Sequence, residues 1–204
     1  MKKSILALWA LAAMTACKKS ETTTMEQTVD STTVITNVDS GSVMTDSAAA
    51  SGAVTDTVNA LSNQDKKFAD AAARGGMMEV MMGKLASGNA TQAAVKTLGE
   101  MMVKDHTKAN DELKKWASSA GYTLPTDLDA DKQKKYDDLK AKKGVEFDRM
   151  YADLMVSDHK KDIDEFKEQA SDGKNEALRN FARTTIPTLE HHLAEAEKTK
   201  KTLK

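Results

Sequence analysis

Residues 90 to 120 read ATQAAVKTLGEMMVKDHTKANDELKKWASSA, and this stretch decides the fold class. Apolar residues recur in it three or four positions apart, as they do on one face of an α-helix. These residues are Val95, Leu98, Met102, Ala109, Leu113 and Trp116. The stretch contains no proline and is followed by Gly121, a common residue at helix ends. It predicts one long amphipathic helix with a single buried face.

Other segments of the chain repeat this pattern. Long helices are predicted over 64–87, 145–171 and 174–202. The first should begin after Asn63 as its N-cap and stop at Gly88. A shorter helix is expected near 129–142, in the connection between the second and third long helices. We therefore expect residues 64–204 to form an all-α domain, a four-helix bundle whose long connection suits the crossover of ferritin-like folds.

The composition agrees with helices and excludes several classes of protein. Aromatic residues make up 4% of the chain, too few for a typical β-sandwich. The 30 basic side chains balance 31 acidic ones, so the charge gives no footprint for nucleic acid or an anionic membrane surface. The single cysteine excludes a disulfide framework. No Gly-x-Ser-x-Gly nucleophile motif occurs, and we identify no catalytic motif.

The first residues have the pattern of a bacterial export signal. Two lysines precede the apolar run SILALWALAAMTA, which is too short to span a bilayer. The segment Met14-Thr15-Ala16-Cys17 resembles a lipoprotein cleavage box, although leucine is more usual than methionine at its first position. This resemblance implies that 1–16 is removed, that Cys17 is lipidated, and that the lipid anchors the protein to a membrane. The alternative is an ordinary signal peptide followed by a coincidental cysteine.

Lys18 bears on the destination of such a lipoprotein. It stands where an aspartate would favour retention at the inner membrane, so we expect the outer membrane of the cell envelope. Residues 17–63 are predicted to form a disordered tether, because Ser and Thr dominate from residue 20 onward and no helical stripe repeats. The domain would then lie in the periplasm or at the cell surface.

Ionisable residues interrupt the apolar faces of all four long helices. They fall near the middle of each helix, so in a bundle they would lie in one layer. Burying an unpaired charge costs several kcal/mol, so these groups must satisfy one another, hold water or bind a metal. The candidate metal ligands are Glu79, Asp105, His106, Asp158, His159 and His192. Asp148, Tyr151 and Asp162 are expected in the same buried polar network.

The domain resembles a known family from Phe68 to its C-terminus. The matching residues are Phe68, Gly75-Gly76 and Glu79, then Met102-Val103-Lys104-Asp105-His106, then Phe147-Asp148, Tyr151 and Asp158-His159, and finally Pro187-Thr188-Leu189 and His192. In their order and spacing they are similar to the domain of unknown function 4142. The resemblance implies a ferritin-like fold and a secreted or envelope bacterial protein. It implies no established biochemical activity.

Two interpretations of the polar layer remain open. A standard di-iron centre needs Glu three residues before His, and neither Val103 nor Val156 supplies it. A mixed carboxylate and histidine site for iron, zinc or copper is chemically reasonable, and Met102 and Met155 add thioethers that suit Cu(I). The simpler interpretation is a hydrogen-bonded network that fixes the register of the helices.

These interpretations correspond to two classes of function. The first is a non-enzymatic envelope protein with a structural or interaction role and an unidentified protein partner. The second is a metal-binding or redox protein. Convergence of Glu79, His106, His159 and His192 would favour the metal, whereas Asp–His pairs that close on each other would favour the structural role.

Overall fold

The computed structural model describes residues 61–203, and within this range every regular element is a helix. The helices are α1 (Asn63–Asn89), α2 (Ala93–Ala120), α3 (Ala130–Lys140), α4 (Gly144–Asp172) and α5 (Glu176–Thr202). The predicted all-α class is therefore confirmed, with the short helix in the connection where it was expected. The predicted signal peptide (1–16), the lipidation site Cys17 and the tether up to residue 60 lie outside the described residues.

The four long helices pack as two hairpins. α1 lies along α2, and α4 lies along α5. Contacts between α1 and α4 and between α2 and α5 join the hairpins, while α3 packs on α1 and α4. None of the helices between residues 61 and 203 is long and apolar enough to cross a membrane.

The helix ends differ from the predicted ones for local reasons. Ser62, and not Asn63, caps α1: its hydroxyl accepts a hydrogen bond from the backbone N–H of Asp65, and the Asp65 side chain bonds back to Ser62. α1 continues one residue past Gly88. α2 begins at Ala93, three residues later than predicted, because residues 90–92 form the turn between the helices.

The core consists of two apolar clusters with the polar layer between them. One cluster lies towards the α1–α2 turn and contains Met82, Val95, Met102, Phe147, Tyr151 and Met155. The other lies towards the α4–α5 turn and contains Phe68, Leu113, Ile163, Phe166, Leu178 and Leu189. Along each long helix, the central ionisable residue falls between members of the two clusters. The core thus holds the polar layer away from both ends.

Candidate metal centre

Each long helix supplies one buried polar side chain to the middle of the domain. Glu79 comes from α1, His106 from α2, His159 from α4 and His192 from α5. Their exposed fractions lie between 0% and 6%, so all four are effectively removed from water. The sequence placed these residues in one layer, and the structure brings them together.

The three imidazole rings form a triangle. Their centroids are 5.1 Å apart for His106 and His192, 5.3 Å for His159 and His192, and 5.5 Å for His106 and His159. One ring nitrogen from each histidine can be chosen so that all three atoms lie within 4.8 Å of one another. Three nitrogen donors at this separation can bind one metal ion after small side-chain movements.

Glu79 orients the first of these rings. Nδ1 of His106 lies 3.0 Å from Oε2 of Glu79, which fixes the proton on Nδ1 because a carboxylate only accepts. Nε2 of His106 is buried and has no hydrogen-bond partner among residues 61–203. A histidine that donates one N–H to a carboxylate and keeps the other nitrogen free has the arrangement typical of metal ligands.

The other two histidines form a linear chain of hydrogen-bonding groups. Nδ1 of His159 lies 2.9 Å from the carbonyl oxygen of Met155, and Nε2 of His159 lies 3.2 Å from Nδ1 of His192. Nε2 of His192 then lies 3.0 Å from Oδ2 of Asp105. The groups at its two ends, the Met155 carbonyl and the Asp105 carboxylate, only accept hydrogen bonds. The three hydrogen bonds of this series therefore need three protons. Two neutral imidazoles carry only two.

Burial keeps these imidazoles neutral. Removal from water lowers the pKa of His192 to about 4, against the opposing effect of its hydrogen bond to Asp105. Burial likewise lowers the pKa of His159. Near neutral pH this series of hydrogen-bonding groups therefore lacks one proton. The lone pairs of Nε2 of His159 and Nδ1 of His192 then face each other. A cation bound between the rings would remove this repulsion.

Glu79 is a buried carboxylate that lies close to two of the three rings, those of His106 and His159. Burial alone would raise the pKa of its carboxyl, but the imidazoles, which are protonated at the acid pH where this carboxyl titrates, lower its pKa to about 2, His106 first among them. Its Oε1 also lies 3.4 Å from Nδ1 of His159. The site therefore combines three imidazole nitrogen donors with one buried carboxylate, a donor set that suits a divalent transition metal.

The two aspartates of the Asp–His pairs have different surroundings. Asp105 bonds to His192 across the bundle and keeps 27% of its side chain exposed. Asp158 is paired with Lys135 of α3 and does not bond to His159. Neither aspartate bonds to His106 or His159, so the two Asp–His pairs do not close on each other.

The residues predicted for the wider polar network divide into two groups. Asp148 is not part of the layer: it accepts hydrogen bonds from the backbone N–H groups of Thr91 and Gln92, at the start of α2. Tyr151 is fully buried beside the layer, and burial and the Glu79 charge raise the pKa of its phenol. Asp162 is half-buried, and its pKa is raised well above the usual range by burial and then by nearby carboxylates, Glu79 first.

One buried carboxylate, Asp65, is not among the residues that the sequence predicts for the core. Asp65 accepts hydrogen bonds from the Gln169 side chain at 2.7 Å and from the backbone N–H groups of Lys174 and Asn175 at 3.1 and 3.2 Å. These contacts join the start of α1 to the α4–α5 turn. The spacing of Ser62 and Asp65 resembles a capping box and was the available signal.

Comparison with known proteins now assigns a family. Residues 50–199 match the sequence model described as Domain of unknown function (DUF4142). The chain belongs to the DUF4142 family. The resemblance drawn from the sequence is thereby confirmed, and the family description names no activity.

A solved structure is similar to this DUF4142 domain in fold. It is the crystal structure of a DUF305 fragment from Deinococcus radiodurans, with a TM-score of 0.62 and 11% sequence identity. The match covers 70% of this chain and 98% of that one. No curated protein matches the chain. At this identity the similarity concerns the fold alone, so a function must be argued from the site.

Proposed function

We propose that this protein binds a divalent transition-metal ion through His106, His159 and His192 in the middle of a ferritin-like four-helix bundle. One observation carries the proposal: three buried imidazoles from three helices converge, and Nε2 of His106 has no other partner among residues 61–203. The proposal selects the metal-binding class over the purely structural one.

The separation of two of the three ligand nitrogens agrees with tetrahedral coordination. Two imidazole nitrogens that bind one Zn²⁺ at about 2.0–2.1 Å lie roughly 3.3 Å apart. Nε2 of His159 and Nδ1 of His192 are separated by 3.2 Å. Zinc, copper and iron all accept imidazole ligands, and the absence of a Glu-x-x-His pattern argues for one ion and against a di-iron pair. The carboxylates of Glu79 and Asp105 would orient the imidazoles of His106 and His192 by hydrogen bonds to the ring nitrogens that do not bind the metal.

A polar network without metal is the competing interpretation. It accounts for the bond between Glu79 and His106 and for the bond between Asp105 and His192. It leaves Nε2 of His106 unpaired and the chain through His159 one proton short. Buried polar groups without partners typically cost about 1–3 kcal/mol, so the network is a poor end state for this core.

Zinc binding by matched histidine variants tests the proposal. The purified full-length chain is dialysed against Zn²⁺, and bound metal is measured by mass spectrometry alongside the thermal unfolding temperature. We expect the parent to bind one zinc ion per chain and zinc to raise its unfolding temperature by several degrees. His106→Ala and His192→Ala should lose both the bound zinc and this increase. The control is His191→Ala, which removes an exposed histidine adjacent to the site.

Two results would contradict the proposal. One is a parent that binds less than a tenth of an equivalent of zinc, copper or iron while remaining folded by circular dichroism. The other is equal loss of metal in the His191→Ala control. Either would leave the polar layer as a structural network and turn the search to protein partners.

We further propose that the protein is an outer-membrane lipoprotein anchored through Cys17. The apolar run before Cys17 and the cleavage-box sequence support this location. Metabolic labelling with a radioactive fatty acid should mark the parent and not Cys17→Ala. Recovery of unlabelled parent protein in the soluble fraction would contradict the proposal.

A further inference from the structure

A small cavity lies beside His106, one of the three histidines of the candidate metal centre. Residues of α1, α2, α4 and α5 line it, and it has a volume of about 20 Å³. A buried water needs roughly 10–15 Å³ by this measure, so the cavity has room for one molecule of that size. Glu79 and His106 are part of its wall.

Gly75 opens this cavity. A methyl group added at Gly75 would meet no atom within 4 Å, although the residue is buried. The adjacent Gly76 differs, because a methyl group there would lie 2.1 Å from Oδ1 of Asn110. Helix packing therefore explains Gly76 but not Gly75. Glycine in a helix interior typically lowers stability by about 0.5–1 kcal/mol relative to alanine. At Gly75 this residue leaves open space beside the site.

The wall of the cavity also includes residues that are not fully buried. Its wall includes Glu165, which keeps 37% of its side chain exposed, and the half-buried Asp162. The wall therefore carries the buried carboxylate of Glu79 and the partly exposed carboxylate of Glu165. Such a lining disfavours small anions and admits neutral molecules.

We propose that this cavity admits one neutral molecule, water or a diatomic gas, to an open coordination position of the metal held by the three histidines. The inference rests on the proposed metal binding. Three protein ligands with a free fourth position are typical of zinc sites that act on a bound molecule, whereas structural zinc sites are closed by four protein ligands.

Carbon monoxide binding to the copper-loaded protein tests the inference. Copper is the probe because nitrogen ligands bind Cu²⁺ more tightly than the other divalent first-row metals. The full-length chain is loaded with one equivalent of Cu²⁺ and reduced to Cu(I) without oxygen, and the C–O stretch is followed by infrared spectroscopy. Three proteins are compared: the parent, Gly75→Ala and Gly88→Ala. Gly88 is an exposed glycine of the same helix with open space around it.

We expect all three proteins to hold one copper ion and to have the same helix content. The parent and Gly88→Ala should bind carbon monoxide, and Gly75→Ala should bind it at least tenfold more weakly because its methyl group narrows the cavity. His106→Ala, which removes a copper ligand, should lose both the copper and the carbonyl band.

The outcomes separate the two proposals. Absence of copper from the folded parent overturns the metal site itself. A copper-loaded parent without a carbonyl band overturns only the open position, as does equal carbon monoxide affinity in Gly75→Ala and Gly88→Ala. If azide, an anion, displaces carbon monoxide from the copper of the parent as readily as a neutral ligand does, the proposal that the cavity admits neutral molecules is overturned.

Discussion

Asp65 on α1 and Asp148 on α4 each hold the first turn of a helix in the opposite hairpin. Asp65 accepts from the backbone at the start of α5, and Asp148 accepts from the backbone at the start of α2. The same interval along the chain separates Asp65 from Glu79 and Asp148 from Asp162. The two hairpins are thus joined by equivalent carboxylates, one at each end of the domain.

Removing the Asp65 carboxylate should destabilise the domain strongly. A lost cap costs about 0.5–2 kcal/mol, and buried donors left unpaired cost about 1–3 kcal/mol. We expect Asp65→Ala to lower the free energy of unfolding by roughly 3 kcal/mol in urea denaturation. The control is Asp111→Ala, which removes an exposed carboxylate of a surface pair and should change it by under about 0.5 kcal/mol. Equal effects of the two substitutions would show that the Asp65 contacts do not join the hairpins.

The Asp65 contribution should also depend on pH in a defined direction. Burial opposes ionisation, but hydrogen bonds, that from Ser62 first, lower the pKa of this carboxyl below its usual 3.8. A lowered pKa in the folded state stabilises the protein above the unfolded pKa, and this stability is lost as the pH falls through the folded value. The difference in unfolding free energy between parent and Asp65→Asn should therefore be constant above about pH 5 and shrink below pH 3.8. A difference that grows on acidification would contradict this account.

The helical class and the central layer could be predicted because both depend on position within single helices. Apolar spacing placed α2 within three residues of its observed start, and glycine marked its end. Counting along each helix placed Glu79, His106 and His192 at one level. These are local regularities that survive in almost any arrangement of four packed helices.

The partners of the polar side chains could not be predicted in this way. Adjacent residues point about 100° apart on a helix, so Asp105 cannot share the direction of His106. Which helix Asp105 meets depends on which helices lie beside α2. Both α1 and α5 do, and Asp105 meets His192 of α5. Asp158 instead pairs with Lys135 of α3. No local sequence pattern predicts where α3 packs on the long helices. For the same reason the prediction that Asp148 belongs to the central layer is wrong, since Asp148 caps α2.

Close packing of α1 on α2 should make Gly99 intolerant of a side chain. A methyl group there would lie 2.7 Å from Cβ of Ala86 and 2.8 Å from the carbonyl oxygen of Gly83. Overpacking typically costs about 1–3 kcal/mol and should outweigh the better helix propensity of alanine. We expect Gly99→Ala to lower the unfolding free energy, whereas Gly88→Ala should raise it by up to about 1 kcal/mol. Stabilisation by both substitutions would mean that the helices separate readily.

The hydroxyl group of Tyr151 should be dispensable for stability. It is buried and has no hydrogen-bond partner among residues 61–203. Removing an unpaired buried polar group relieves a desolvation cost, so Tyr151→Phe should raise the unfolding free energy by up to about 1 kcal/mol. Tyr122 provides the comparison, because its hydroxyl donates to Oδ1 of Asp70 at 2.9 Å. Tyr122→Phe should cost about 1 kcal/mol. A loss larger than this in Tyr151→Phe would reveal a partner for the Tyr151 hydroxyl.

Glu79 should control metal affinity through His106 without itself being required as a ligand. Its carboxylate holds the proton on Nδ1 of His106, and an amide in its place can donate and so favour the other tautomer. Loss of such an outer carboxylate typically weakens metal binding 10–100-fold. We expect Glu79→Gln to retain one zinc site per chain with affinity lowered by that factor, measured by competition with a chromophoric chelator. Glu112→Gln changes a half-exposed carboxylate on α2 and should leave the affinity unchanged. Full affinity in Glu79→Gln would mean that another group sets the His106 tautomer, and complete loss of zinc would make Glu79 a ligand in its own right.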